Sequence, residues 1–178
     1  MRSSDASRRH FVFTAPAVAL AGFALLGDLA DAAAAAEPND VALLNSGIEL
    51  ERAGIKAYTD AAATGLLSAD VSKVALGFRS DHAAHRDALI SAVRAANGIV
   101  TTRTLAVDSP PLRTQADILA FALSVEHLAA NTYLTLIPKL QDRDLAKAAG
   151  SILGIETTHV ALLAQALGQP AYPQPFVE

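Results

Sequence analysis

The sequence predicts an all-α protein, a four-helix bundle whose second and third helices are joined by a long crossover. Three observations lead there. Apolar residues make up 52% of the chain and aromatic ones only 5%, with alanine and leucine dominant, which favours helix over sheet. Four segments place apolar side chains at steps of three and four residues, the period of one helix face. The polar interruptions on these stripes recur at matched offsets. Glu51 and Glu126 lie 75 residues apart (126 − 51), as do Tyr58 and Tyr133 (133 − 58). His82 and Glu156 are separated by 74 (156 − 82), as are His85 and His159 (159 − 85). The chain therefore holds two copies of a helix pair.

The first helix is predicted from an N-cap at Asp40 to about Thr64, where Gly65 follows. Its stripe is Leu44, Ile48, Glu51, Ile55, Tyr58 and Ala62. Ser68 caps a second helix with Asp70 in its first turn, favourable at the positive end of the helix dipole. Val71, Val74, Phe78, His82, His85, Leu89 and Val93 form its stripe, and Asn97-Gly98 is the stop signal. Residues 98–113 differ in character: Thr101-Thr102-Arg103-Thr104 is polar and β-branched, and Ser109-Pro110-Pro111 forbids a helix. Thr114 caps a third helix, with Asp117 in its first turn and the stripe Ile118, Ala122, Glu126, Ala129, Tyr133, Ile137. Pro138 ends or interrupts it. The fourth helix starts near Asp142 and runs to Leu167, with the stripe Leu145, Ala149, Ile152, Glu156, His159, Leu163; Gly168 and Pro170 end it.

Connection lengths set the topology. Short links make the first and second helices, and the third and fourth, antiparallel hairpins. The middle connection of about 15 residues reaches ~50 Å when extended at ~3.3 Å per residue. A 25-residue helix is only ~38 Å long at 1.5 Å per residue. The connector can thus cross the whole bundle and leave the second and third helices parallel.

Residues 1–36 are expected to be a signal peptide and residues 37–178 the bundle, with a Pro-rich tail from Pro170. Ser7-Arg8-Arg9-His10-Phe11-Val12 is a twin-arginine pattern followed by an apolar stretch, and the run Ala30 to Ala36 offers Ala-x-Ala cleavage sites. An ordinary secretory signal or an uncleaved anchor is the alternative; Pro16, Gly22, Gly27 and Asp28 make the stretch a weak membrane span. Export by the twin-arginine (Tat) machinery, to the periplasm or otherwise out of the cytoplasm, is the expectation. A net charge of −4 argues against nucleic acid as a partner, and the absence of cysteine excludes disulfides, thiolate metal sites and iron–sulfur clusters.

The candidate chemistry lies on the stripes. Side chains at i and i+3 share a helix face, so His82 with His85, and Glu156 with His159, can each aim two ligands at one point. Glu51 and Glu126 each add one. A buried carboxylate is costly unless paired or bound to a cation, so three glutamates and three histidines aimed inward point to a metal site. Asp81, four residues before His85, is placed to accept the second ring N–H of His85 or to stand in as a further carboxylate. Tyr58 and Tyr133 read as core or gate residues rather than ligands. His127 reads as a flank residue, and Arg79, Arg86 and Asp87 as solvated or inter-helix pairs.

With Leu50-Glu51 through Tyr58, Asp81-His82-Ala83-Ala84-His85-Arg86-Asp87, Val125-Glu126 through Tyr133 and Glu156-Thr157-Thr158-His159, residues 40–168 resemble the ferritin-like superfamily, and in particular its twin-arginine-exported bacterial members. The resemblance implies a ferritin-like four-helix bundle with a central, usually dinuclear, iron or manganese site. Its members include ferroxidases, oxygenases, peroxidases and catalases, so the fold alone does not fix the reaction. One departure matters. His82-x-x-His85 stands where the family pattern has Glu-x-x-His, at a position that is often a bridging carboxylate there. Three carboxylates leave one positive charge uncompensated against two divalent ions, and imidazole does not bridge through one atom. A single Fe, Mn or Zn ion is therefore an alternative to a pair.

Two functions are consistent with these residues. One is a redox protein holding one or two iron or manganese ions for chemistry on O₂ or peroxide. The other is a structural or stress-related bundle of the cell envelope, metal-free or Zn-bound. Whether the protein is an enzyme is left open, as is a homo-oligomer. The chain is short of the extra C-terminal helix of cage-forming ferritins, which disfavours iron storage in a large shell.

Overall fold

The structure is a computed structural model that describes residues 38–171. The expected signal peptide, and the tail beyond Ala171, lie outside the described residues. Four helices make up the fold: α1 (Pro38–Ala63), α2 (Ala69–Ala95), α3 (Gln115–Leu136) and α4 (Arg143–Ala166). A single 3₁₀ turn, Ile137–Lys139, follows α3 directly, because Pro138 supplies no N–H for continued α-helical bonding. No strand occurs among the described residues, and no helix among them is long and apolar enough to cross a membrane.

Three of the expected caps are present. The Ser68 side chain accepts from the Val71 N–H, Thr114 and Asp117 form a reciprocal capping box, and Asp142 accepts from the N–H groups of Asp144 and Leu145. The cap at Asp40 is a correction. Helix α1 begins two residues earlier, at Pro38, and the Asp40 carboxylate is fully buried. It accepts from the backbone N–H of Gln141 (3.0 Å) and Asp142 (2.9 Å), so it secures the entry to α4 rather than the start of its own helix. At the end of α2 the left-handed residue is Asn97 (φ 54°), while Gly98 donates to the Val93 carbonyl. A Cβ on Gly98 would stand 2.7 Å from Cγ1 of Val41, so the glycine is needed there for close approach to α1.

The helix directions follow from the contacts. Glu51 of α1 meets Tyr133 of α3 and Tyr58 meets Glu126, so these two helices are antiparallel. Glu51 also meets His82 while Val41 meets Gly98, so α1 and α2 are antiparallel too. Helices α2 and α3 therefore run parallel, as the long connector allows. The backbone N–H of Ser68 donates to the Gln115 side chain (2.8 Å), tying their N-termini together. The connector is strapped along α1. Asn45 donates to the carbonyl of Ile99 and accepts from the N–H of Thr101, Arg52 donates to the carbonyls of Thr101 and Arg103, and the N–H of Leu105 donates to the Glu49 carbonyl.

The apolar interior is divided. A larger cluster at the end where α1 begins contains Leu44, Ile48, Leu89, Val93, Tyr133, Leu145 and Ile152. A smaller one at the opposite end contains Tyr58, Ala75, Phe78, Leu119, Ala122 and Leu163. Between them lies a layer of buried charge.

Candidate metal centre

Each of the six sequence-selected residues enters that layer from the middle of its helix. Glu51 comes from α1, His82 and His85 from α2, Glu126 from α3, and Glu156 and His159 from α4. Five are essentially inaccessible: Glu51, Glu126 and Glu156 are 0% exposed, His82 1% and His159 2%. The His85 side chain keeps 13% exposure and is the wettest edge of the cluster.

The six converge as two overlapping groups. Ligand atoms of Glu51, His82, His85 and Glu156 all lie within 4.8 Å of one another, and so do those of His82, Glu126, Glu156 and His159. In the first, Nδ1 of His82 is 2.7 Å from Oε2 of Glu51, and Nδ1 of His85 is 3.0 Å from Oε1 of Glu156. In the second, Nε2 of His82 is 3.4 Å from Oε1 of Glu126, and Nδ1 of His159 is 3.5 Å from Oε2 of Glu126 and 3.4 Å from Oε2 of Glu156.

The surroundings hold these groups in place. The phenol of Tyr58 donates to Glu126, and that of Tyr133 donates to Glu51. The tyrosines are thus packed in the core, as expected, with a polar task that spacing alone did not disclose. Asp81 differs from expectation: its carboxylate lies 3.2 Å from Nε2 of His159, not beside His85. It sits on the face of α2 turned towards α4, one residue away from the line carrying His82 and His85. That contact fixes the His159 proton on Nε2 and turns Nδ1 inward. Phe78 stacks on His159 with centroids 3.8 Å apart, and Tyr58 stacks on His82 at 5.7 Å. Gly54 faces His82 so closely that a Cβ there would stand 2.9 Å from three of its ring carbons. His127 is exposed, and Arg86 pairs with its neighbour Asp87, as expected of surface groups.

Electrostatics in the layer are strong because it is buried. Burial alone would lower the His82 pKa, but bonds to Glu126 and Glu51 outweigh it and carry the imidazole up to about 11. The same contest, decided by Glu156 and Glu51, takes His85 up to about 9. Asp81, Glu126 and Glu156 raise His159 to about 10 against its burial. Burial pushes Glu51 and Glu126 upward, yet the facing imidazoles hold both below the usual carboxylate range. Burial and the adjoining carboxylates push the phenols of Tyr58 and Tyr133 well above theirs.

A metal ion fits this donor set on a direct observation. Buried Nδ1 of His85, Oε2 of Glu126, both oxygens of Glu156 and Nδ1 of His159 have no hydrogen-bond partner. The facing atoms approach as closely as 3.0 Å without the angles of a hydrogen bond, buried polar atoms left so are costly, and all five belong to the converging groups. Imidazole and carboxylate together suit iron, manganese and zinc.

Comparison with known proteins agrees with this architecture. The family model described as a ferritin-like domain matches residues 39–169. No curated protein matches the chain. Among solved structures, the ferritin-like, diiron-carboxylate proteins from Bacillus anthracis are similar at 21% identity and a TM-score of 0.62, covering 74% of this chain and 99% of theirs. A conserved hypothetical protein from Mycobacterium tuberculosis is similar at 19% identity and a TM-score of 0.66, covering 79% and 96%. A mycobacterial bacterioferritin is similar at 18% identity and a TM-score of 0.62, covering 74% and 84%. At these identities the solved structures speak for the fold, and the family match extends over most of the chain. This chain belongs to the ferritin-like domain family.

Proposed function

We propose that the protein is exported and binds one or two iron or manganese ions in the bundle core, for redox or oxidative-stress chemistry on O₂ or peroxide. The observation that carries the reading is the set of five buried donor atoms without hydrogen-bond partners, all within the converging groups. The neighbouring diiron-carboxylate fold supports it, and the Arg8-Arg9 pattern supports export by the twin-arginine route. Glu51, His82, His85, Glu126, Glu156 and His159 are the residues that would hold the ions. Bound iron or manganese supplies the electron-transfer chemistry.

The chain's own residues do the rest. Tyr58 and Tyr133 clamp one oxygen each of Glu126 and Glu51, which leaves the second oxygens fixed in direction. Asp81 keeps His159 in the tautomer whose Nδ1 faces inward. The apolar clusters on either side exclude water from the layer, and the partly exposed edge at His85 is where a small molecule would reach it.

One observation favours a second reading, a metal-free or Zn-bound structural bundle. Three imidazoles with pKa values raised to about 9 to 11 face the carboxylates, the nearest pair 2.7 Å apart, so imidazole–carboxylate pairing alone can hold the layer together. Metal analysis of natively exported protein decides, together with melting in the presence of Fe(II), Mn(II) or Zn(II) under anaerobic conditions. Iron or manganese at one or two equivalents, with a raised melting temperature, supports the first reading. Zinc alone, or no metal and no thermal shift, supports the second.

A further inference from the structure

The two donor groups share two residues, and each of these faces both ways. Nδ1 of His82 lies 2.7 Å from Oε2 of Glu51 and 3.7 Å from Oε1 of Glu156, on the side of the first group. Its Nε2 lies 3.4 Å from Oε1 of Glu126, on the side of the second. Glu156 divides likewise: Oε1 lies 3.0 Å from Nδ1 of His85, whereas Oε2 lies 3.4 Å from Nδ1 of His159. The ring of His82 has no room to turn away, with Tyr58 stacked on it and the backbone at Gly54 against its carbons.

We propose that His82 is a two-sided ligand, giving one ring nitrogen to each of two metal positions, so that an imidazole ring rather than a single oxygen atom separates the ions. The inference rests on the metal-binding reading above. It settles two difficulties raised by the replacement of a carboxylate at this position. Imidazole does not bridge through one atom, but its two nitrogens point to opposite edges of the ring and each reaches a different group. Ligation through both nitrogens displaces every ring N–H proton to solvent and leaves one negative charge on the ring. Glu51, Glu126, Glu156 and the ring then carry −4, against +4 for two divalent ions. The spacing changes as well. Oxygen-bridged pairs sit ~3.5–4 Å apart. Two metal–nitrogen bonds of ~2.0–2.1 Å on opposite edges of one ring hold the ions beyond ~5 Å.

The test is the metal–metal distance, read by anomalous diffraction from crystals of the protein loaded with Zn(II) and, separately, Mn(II). Two peaks flanking His82 and more than ~5 Å apart are expected. The variant His82→Glu should bring them to ~3.5–4 Å, the spacing of a carboxylate-bridged pair. In solution, calorimetric titration of His82→Gln with Zn(II) should show one tight ion in place of two. Two peaks at the short spacing in the parent, or a single peak, overturn the inference while leaving the protein a metal binder. A parent that takes up no Zn(II), Mn(II) or Fe(II) overturns the metal-binding reading itself, and this inference with it.

Discussion

The phenol of Tyr58 donates a hydrogen bond to Glu126, a residue 68 positions further along the chain. The bond is returned: Tyr133, seven residues after Glu126, donates to Glu51, seven residues before Tyr58. Because α1 and α3 are antiparallel, two turns of helix on each bring every tyrosine opposite the other helix's glutamate.

Each phenol therefore satisfies a buried carboxylate that has few other donors. Tyr58→Phe and Tyr133→Phe should each lower the unfolding free energy of the metal-free protein by about 1–3 kcal/mol, the cost of leaving a buried acceptor short of a partner. Urea denaturation measures it. Unchanged midpoints would mean that the rings act by packing alone.

Glycine at the interior of a helix normally costs ~1 kcal/mol relative to alanine. Gly77→Ala and Gly150→Ala, where a Cβ meets nothing within 4 Å, should therefore stabilise the protein by up to that amount. Gly54→Ala should do the reverse, because its Cβ would collide with the buried His82 ring at 2.9 Å. It should also weaken Zn(II) binding, which the two control variants leave alone. Equal effects of all three on melting temperature and affinity would show that His82 yields freely.

Asp81 touches the candidate centre only through His159, at 3.2 Å. Asp81→Asn keeps the size of the side chain but removes the charge that orients and polarises the imidazole. Mn(II) affinity should fall about 10–100-fold, the usual effect of losing such a partner. His85→Ala serves as the comparison, since it deletes a donor outright. An affinity unchanged in Asp81→Asn would mean that the contact is incidental.

Acidity should act in opposite directions on the empty and the loaded protein. The raised values of His82, His85 and His159 contribute stability that is fully present below their ordinary 6.5. It is lost as pH rises through the folded values, first near 9 where His85 discharges. The lowered values of Glu51 and Glu126 contribute stability present above the ordinary 4.5 and lost on acidification. The metal-free protein should thus be most stable between about pH 4.5 and 6.5 and should soften steadily towards about pH 9. Metal affinity should climb over that upper range, because ions and protons compete for the same nitrogens. Melting temperatures taken with and without chelator across it would expose the crossing. A metal-free profile that stays flat would mean the imidazoles carry no charge in the fold.

Most of the bundle was legible because its signals are local or periodic. The caps at Ser68, Thr114 and Asp142 act within four residues of themselves. The stripes carrying Glu51, His82, His85, Glu126, Glu156 and His159 need only the helical period. What escaped depends on partners distant in sequence. Asp40 resembles an N-cap by position, but two N–H groups about a hundred residues away claim its carboxylate. Asp81 looked like a partner of His85 because both lie on α2, whereas the turn of that helix aims it at α4. The tyrosine bonds require the direction of α3 relative to α1, which the length of the connector implied but which residue spacing alone does not convert into a contact.

The exchanged bonds between α1 and α3 have a consequence for how such a chain is put together. A single hairpin cannot complete its own layer, since its glutamate needs a phenol from elsewhere. Two identical hairpins related by a dyad would complete each other, as an isologous dimer does. The present chain carries two such hairpins in one polypeptide, joined by the strap between Ala95 and Gln115. Joining them in one chain leaves the halves free to differ, and they differ where the dyad would equate His82 with Glu156. A symmetric dimer must place the same group at both positions; one polypeptide can place an imidazole at one and a carboxylate at the other.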